Sequence, residues 1–339
     1  MKILGRCRGA LLALLVGYSA LLALPAAAAA ATKVRVGYIH VELVDVPLFH
    51  GISKGYFRDR GIDLELVRFD NGTQINQALA GGRLDAALAG AGVIQNFAVQ
   101  GHGVVFAFSY IDQNELYGNP ALGVKSVRDL AGKQVAFPLG TTAHVLVNWA
   151  LEDAGMDASS IKQVNTSYGS TAAALISGAV PAAVTFGAFS RVVNREKPDF
   201  VKLIDLRKLA PARVIFGGFV ATNEFHKSSR AALVDLTTAY IKSYEEVWRN
   251  ENAQLQIWEK HYAKDQTYQE FRTNIASNPT PPSPEQWFKY LEDGSVAKWA
   301  LDVASTLNKA GALKTIGDPK QFLDPTIYKE AYQRLQSGK

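Results

Sequence analysis

Short apolar runs alternate with stretches of helical spacing over most of the chain. The runs at 34–39, 64–69, 84–89 and 104–109 predict strands. The segments 47–57, 74–79 and 93–99 between them place apolar residues at three- and four-residue intervals and predict helices. Strand and helix alternating at this spacing imply βαβ units in a mostly parallel sheet. The pattern then restarts. A short helical turn at 126–130 leads to Gly132 and a strand at 134–137. A helix at 142–154, a strand at 161–165, a helix at 171–176, a strand at 182–186 and a helix at 189–194 follow, and the runs 201–206 and 214–221 close the block.

Beyond residue 230 the periodicity is helical throughout. Leu233, Leu236, Tyr240 and Tyr244 mark one face of a long helix over 230–250, and further helices are expected at 255–262, 268–275, 284–290 and 296–310. The proline-rich stretch 278–284 interrupts them as an extended connector. The segments 115–122 and 214–223 read as extended strands that carry the chain to a second lobe and back. The predicted architecture is therefore α/β and bilobed. Lobe one takes 32–116 plus 220–339, lobe two takes 117–219, and the cleft between them is where a ligand belongs.

The first 31 residues stand apart. Lys2, Arg6 and Arg8 precede an apolar run over 11–24, then Pro25 and an alanine run to Ala31. That order is the one a secretory signal peptide has, and the apolar run is short for a membrane span. Removing it would lower the formal charge from +5 to +2. Cys7, the single cysteine, would leave as well, so the mature chain would have no disulfide and no thiolate metal ligand. No lysine- and arginine-rich run interleaved with aromatics suggests nucleic acid. Without a lipid anchor, an exported chain of this kind is expected in the periplasm.

Several stretches match a known family in order and spacing. They are 69–72 followed by Ala78-Leu79-Ala80-Gly81-Gly82-Arg83-Leu84-Asp85, then Ser126-Val127-Arg128-Asp129-Leu130-Ala131-Gly132-Lys133, then Gly140-Thr141-Thr142-Ala143-His144, and last Ser283-Pro284-Glu285-Gln286 with 304–311. The chain resembles the periplasmic binding proteins of ABC importers for taurine, aliphatic sulfonates and nitrate, whose fold is shared with thiamine-precursor binding proteins. The resemblance implies the type II periplasmic-binding-protein fold, with two α/β lobes joined by two crossing strands and a helical C-terminal tail. It also implies a small anionic ligand, a membrane permease with its ATPase as partner, and a monomer. Two places depart from the family pattern. Val184-Thr185-Phe186-Gly187 stands where an Asp and a Trp are frequent, and Ala89-Gly90-Ala91-Gly92 where hydroxyl residues are frequent.

Candidate ligand contacts lie in the turns after strands, because open α/β sheets bind at the carboxyl ends of their strands. Thr141 and Thr142 open a helix. They serve either as anion donors with the free helix N–H groups or as a plain N-cap. His144, in the first turn, either packs or donates. Gly90, Ala91 and Gly92 form the corresponding turn of lobe one, where the backbone can approach a ligand. His40, Glu42 and Leu43 follow the first strand. Glu42 is either a solvated loop residue or the partner of a ligand amine, and Asp45 is an expected N-cap. Tyr168 offers a hydroxyl. Phe186, Phe189 and Phe216 are read either as core or as an aromatic wall of the cleft.

Catalysis finds no motif here. His-Glu-x-x-His, Gly-x-Ser-x-Gly and Gly-x-x-x-x-Gly-Lys are all missing, and the six histidines have no metal-ligand spacing. No cofactor is expected. Two alternatives to transport stay open, an enzyme on the same scaffold and a sensor that reports ligand occupancy to a membrane receptor.

Overall fold

The computed structural model describes residues 31–40, 42–69, 72–90, 97–210, 212–277 and 282–338. Residues 1–30 of the expected leader fall outside them. Among the described residues no helix is long and apolar enough to cross a membrane.

Among the described residues, ten strands form two five-stranded sheets. The first sheet contains β1 (Thr32–Ile39), β2 (Ile62–Phe69), β3 (Ala86–Ala89), β4 (Gly103–Ile111) and β10 (Phe216–Thr222), in the order β2-β1-β3-β10-β4. The second contains β5 (Glu115–Gly118), β6 (Gln134–Phe137), β7 (Lys162–Asn165), β8 (Ala182–Thr185) and β9 (Val201–Asp205), in the order β7-β6-β8-β5-β9. The two orders are the same. In each sheet the first three strands are parallel, and the fourth is a crossing strand paired antiparallel to both neighbours. Four strands of each sheet thus share one direction. The reversed strand is the one that arrives from the other sheet. The changeovers lie at 112–114, between β4 and β5, and at 206–215, between β9 and β10.

Burial explains the strand sequences. β3 (AALA) and β8 (AAVT) are buried at every residue, as central strands covered on both faces must be. β7 (KQVN) is an edge strand and stays largely exposed. In β10 the ladder slips at Gly217/Gly218, and a Cβ at Gly218 would collide with the Ala107 carbonyl oxygen. Only glycine allows the crossing strand to sit that close to β4.

The quoted family stretches turn out to be local fastenings. Asp85 accepts from the Arg35 amide at 2.8 Å and pairs with its guanidinium at 3.0 and 2.6 Å, which ties β1 to the entry of β3. Asp129 accepts from the Lys125 and Ser126 amides at 3.0 and 2.8 Å and closes a capping box. Ser283 and Gln286 form another at the start of helix Pro284–Glu292.

The expected helix over 47–57 runs instead from Glu42 to Lys54 and has Pro47 inside it. Asp45 is consequently not an N-cap. It lies within this helix, fully buried. Phe216 is core and not cleft wall. It is fully buried, with its ring 5.5 Å from Phe108 and 6.2 Å from Trp287. The tail supplies that contact, because helices Arg230–Val247, Pro284–Glu292 and Pro325–Gln336 pack together beside the first sheet.

Candidate functional site

The sheet directions decide where a ligand can lie. β5 runs antiparallel to β8 with Glu115 opposite Thr185, so the start of β5 meets the end of β8. The changeover 112–114 must therefore lie beside the carboxyl ends of β6, β7 and β8. The turns that leave those three strands carry Thr141, Tyr168 and Phe186.

These residues meet in one cluster. Thr141 caps helix Thr142–Asp153. Its Oγ1 accepts from the Ala143 amide at 3.3 Å and donates to the Pro138 carbonyl at 2.7 Å. The Thr142 hydroxyl is directed at the Asp112 carboxylate. The Tyr168 hydroxyl lies near Thr141, the Ala143 amide and the Asn114 side chain. The Tyr168 ring packs on Phe186 at 4.4 Å in a T-shaped pair, and Phe189 follows at 6.0 Å from Phe186. Behind Phe186, the Thr185 and Ser190 hydroxyls bond each other at 2.7 Å.

Asp112 and Asn114 are at the centre and were not singled out from the sequence. Asp112 accepts from the Asn114 amide at 3.2 Å and from the Asn114 side-chain Nδ2. Burial pushes its carboxyl above the ordinary range, against the hydrogen bonds of Asn114, Thr142 and Gln113. The same burial, with Asp112 nearby, pushes the Tyr168 phenol up. Asn114 is 2% exposed, and its Oδ1 has no hydrogen-bond partner. The signal that could have found them is the polar interruption Asp112-Gln113-Asn114 between two apolar strand runs.

His144 is turned into the helix packing. Its Nδ1 accepts from the Gly140 amide at 3.1 Å, its ring is 5.4 Å from Phe137, and burial lowers its pKa. Its buried Nε2 has no partner. Gly140 takes a φ of +73°, which a non-glycine residue rarely adopts.

On the first sheet, His40 and Gly90 follow the ends of the paired strands β1 and β3, where Tyr38 lies opposite Leu88. His40 Nδ1 pairs with Asp45 Oδ2, and the ring stacks on Tyr262 at 4.6 Å and 14°. The Tyr262 hydroxyl donates to Asp45 Oδ1, and His261 stacks on Phe49 at 3.9 Å. The tail therefore completes this wall, which no local sequence pattern announces. The side chains of Glu42 and Leu43, and all of Ala91 and Gly92, lie outside the described residues. A groove of about 290 Å³ runs between the two sheets' turns, with Gly72, Thr73 and Asn76 on one side and Leu139, Gly140 and Thr141 on the other.

A family model described as NMT1/THI5 like matches residues 44–253, more than half of the chain. The chain belongs to the NMT1/THI5 like family. A candidate binding protein of Brucella abortus (strain 2308) is 26% identical over 289 residues, covering 85% of this chain and 89% of the relative. Among solved structures, a periplasmic sulfonate-binding protein of a sulfonate ABC transporter from Methylobacillus flagellatus KT superposes with a TM-score of 0.70 at 21% identity, over 91% of this chain and 96% of that one. The alkanesulfonate-binding protein of Xanthomonas axonopodis pv. citri, bound to MOPS, gives 0.70 at 16% identity, over 86% and 98%. A desulfurization enzyme gives 0.60 at 12% identity, over 89% and 99%. At these identities the structural matches show the fold alone, that of bilobed periplasmic binding proteins, which the desulfurization enzyme shares.

Proposed function

We propose that this NMT1/THI5 like protein is the extracytoplasmic solute-binding component of an ABC importer. It catches a small organic solute between its lobes and delivers it to a membrane permease and its ATPase. The observation that carries this reading is the buried polar cluster of Asp112, Asn114, Thr142 and Tyr168, set on the segment that joins the lobes and walled by Phe186. A ligand seated there touches the hinge itself, so binding and closure are coupled. The expected leader and the binding proteins among its relatives support export to the periplasm and a ligand with a sulfonate or carboxylate group.

Thermal unfolding of the purified protein tests this. The panel is taurine, alkanesulfonates, nitrate, benzoate, phthalates and thiamine precursors. A true ligand at 100 times its Kd adds about 2.7 kcal/mol and raises the melting temperature. A flat response to every compound would sink the reading. One feature favours a second reading, an enzyme. The His40 imidazole is backed by the Asp45 carboxylate, an arrangement suited to proton transfer. Mass spectrometry of each bound compound after prolonged incubation decides between the two, because a transporter returns it unchanged.

A further inference from the structure

The helix start at Thr141–Thr142 invites an anion, but the chain has already placed its own carboxylate there. Asp112 is buried, it is met by the Thr142 hydroxyl and the Asn114 amide groups, and it makes no ion pair among the described residues. Beside it, Asn114 Oδ1 is a buried acceptor with no donor. Two acceptors thus sit together on the crossing segment, a buried carboxyl with no counter-ion among the described residues and an amide oxygen left unfilled, near the Tyr168 hydroxyl. An anionic acid group pressed against them would give the buried carboxyl no counter-ion and leave Asn114 unfilled. A positively charged N–H group would satisfy both.

We propose that Asp112 and the Asn114 side-chain oxygen dock a protonated amine of the solute. The ligand of this site is then an amino-bearing small acid, with its nitrogen at the changeover and its carbon skeleton against Tyr168 and Phe186. This deepens the solute-binding reading and rests on it. Asp112 acts as the specificity residue. The acid group of the ligand points away from it, towards the rest of the cleft.

Matched pairs test the idea on protein purified after expression of the full chain. The pairs are taurine against isethionate, and 4-(aminomethyl)benzoate against benzoate, each titrated by calorimetry. The amine member of at least one pair should bind at least tenfold more tightly than its amine-free counterpart. Asp112→Asn should remove that preference while near-UV circular dichroism stays native. Where the variant loses the native spectrum, the wild-type pairs decide alone. Binding of isethionate or benzoate with no tenfold amine preference in either pair would overturn the amine dock and leave the solute-binding reading intact. An Asp112→Asn protein that folds and keeps the tenfold preference would overturn it as well. Silence from both members of both pairs counts against the amine dock, and if the wider panel is silent too, the solute-binding reading fails with it.

Discussion

The two sheets share one strand order and differ in what they place at the cleft. Strand for strand, β2-β1-β3-β10-β4 repeats as β7-β6-β8-β5-β9. Yet β10, the crossing strand of the first sheet, is apolar (FGGFVAT) and held by close packing, with Phe216 and Phe219 fully buried. β5, its counterpart, begins with a charge network. Glu115 is 5% exposed and accepts from Lys202 at 2.5 Å, Arg207 at 2.7 Å and the Tyr117 hydroxyl at 2.8 Å. The ends of the strands differ in the same way. Polar and aromatic side chains line the turns after β6, β7 and β8, while β1 and β3 end at His40 and Gly90. One topology thus supports a lobe whose crossing strand is apolar and close-packed and a lobe whose crossing strand opens on buried charges. The helical tail accounts for part of this difference. It packs beside the first sheet and contributes Tyr262 to the His40 wall, while it meets the second lobe through the helices outside its sheet, as where Trp149 donates to Thr306 at 2.8 Å.

The largest effect expected from breaking this contrast is at Phe216. Phe216→Ala leaves a cavity under Phe108 and Trp287 and should cost about 4 kcal/mol in urea unfolding, without touching the cleft chemistry. Glu115→Ala removes the buried carboxylate that Lys202, Arg207 and the Tyr117 hydroxyl share, leaves the two cations to Asp205, and should cost about 2 kcal/mol. A loss below about 1 kcal/mol would mean that solvent, not Glu115, satisfies those cations. Phe186→Ala should cost only about 1.5 kcal/mol because the residue is only partly buried, but should weaken solute binding about tenfold. If it destabilises as much as Phe216→Ala, Phe186 is core and the aromatic wall is elsewhere.

The smallest effect is in pH. Burial lowers the folded pKa of His144 below its unfolded value near 6.5. Its neutral form is the one the fold accommodates. The stability it contributes is whole above about pH 6.5 and falls as pH drops from there towards the folded pKa. His50, also lowered by burial, acts in the same direction. Wild type should therefore lose more stability between pH 7.5 and pH 5.5 than His144→Gln does, read as the difference in urea midpoints. Equal losses would show that His144 opens to solvent in the native state.

Much of this was legible from one dimension. The strand at 134–137 and the helix start at Thr142 were read within a residue, because alternation, glycines and capping residues act locally. Two extended segments near 115 and 216 were read, but the strands there are only Glu115–Gly118 and Phe216–Thr222, and the chain changes sheet ahead of each, at 112–114 and 206–215. Thr141, Tyr168 and Phe186 could be named as a group, since all three sit in turns after strands, and the structure brings them into contact. Asp45 was misread because a lone Asp ahead of an apolar run looks like a cap, and nothing local shows that His40 and Tyr262 close over it. Phe216 could be read as core or as cleft wall, because periodicity shows that a side chain turns inward but not what it meets, and only the packing on Phe108 and Trp287 decides for core.

Local order, the composition of each element and the two-lobed plan are thus properties of the chain's pattern, set by hydrogen bonding and burial over a few residues. The repeated strand order and the reversed insertion of β5 and β10 are not. Nor are the meeting of Asp112 with Thr142 and the roof that Tyr262 makes for His40, 222 residues away in number. They depend on which strand edge each segment finds, and that choice is made by packing between parts of the chain that share no local signal.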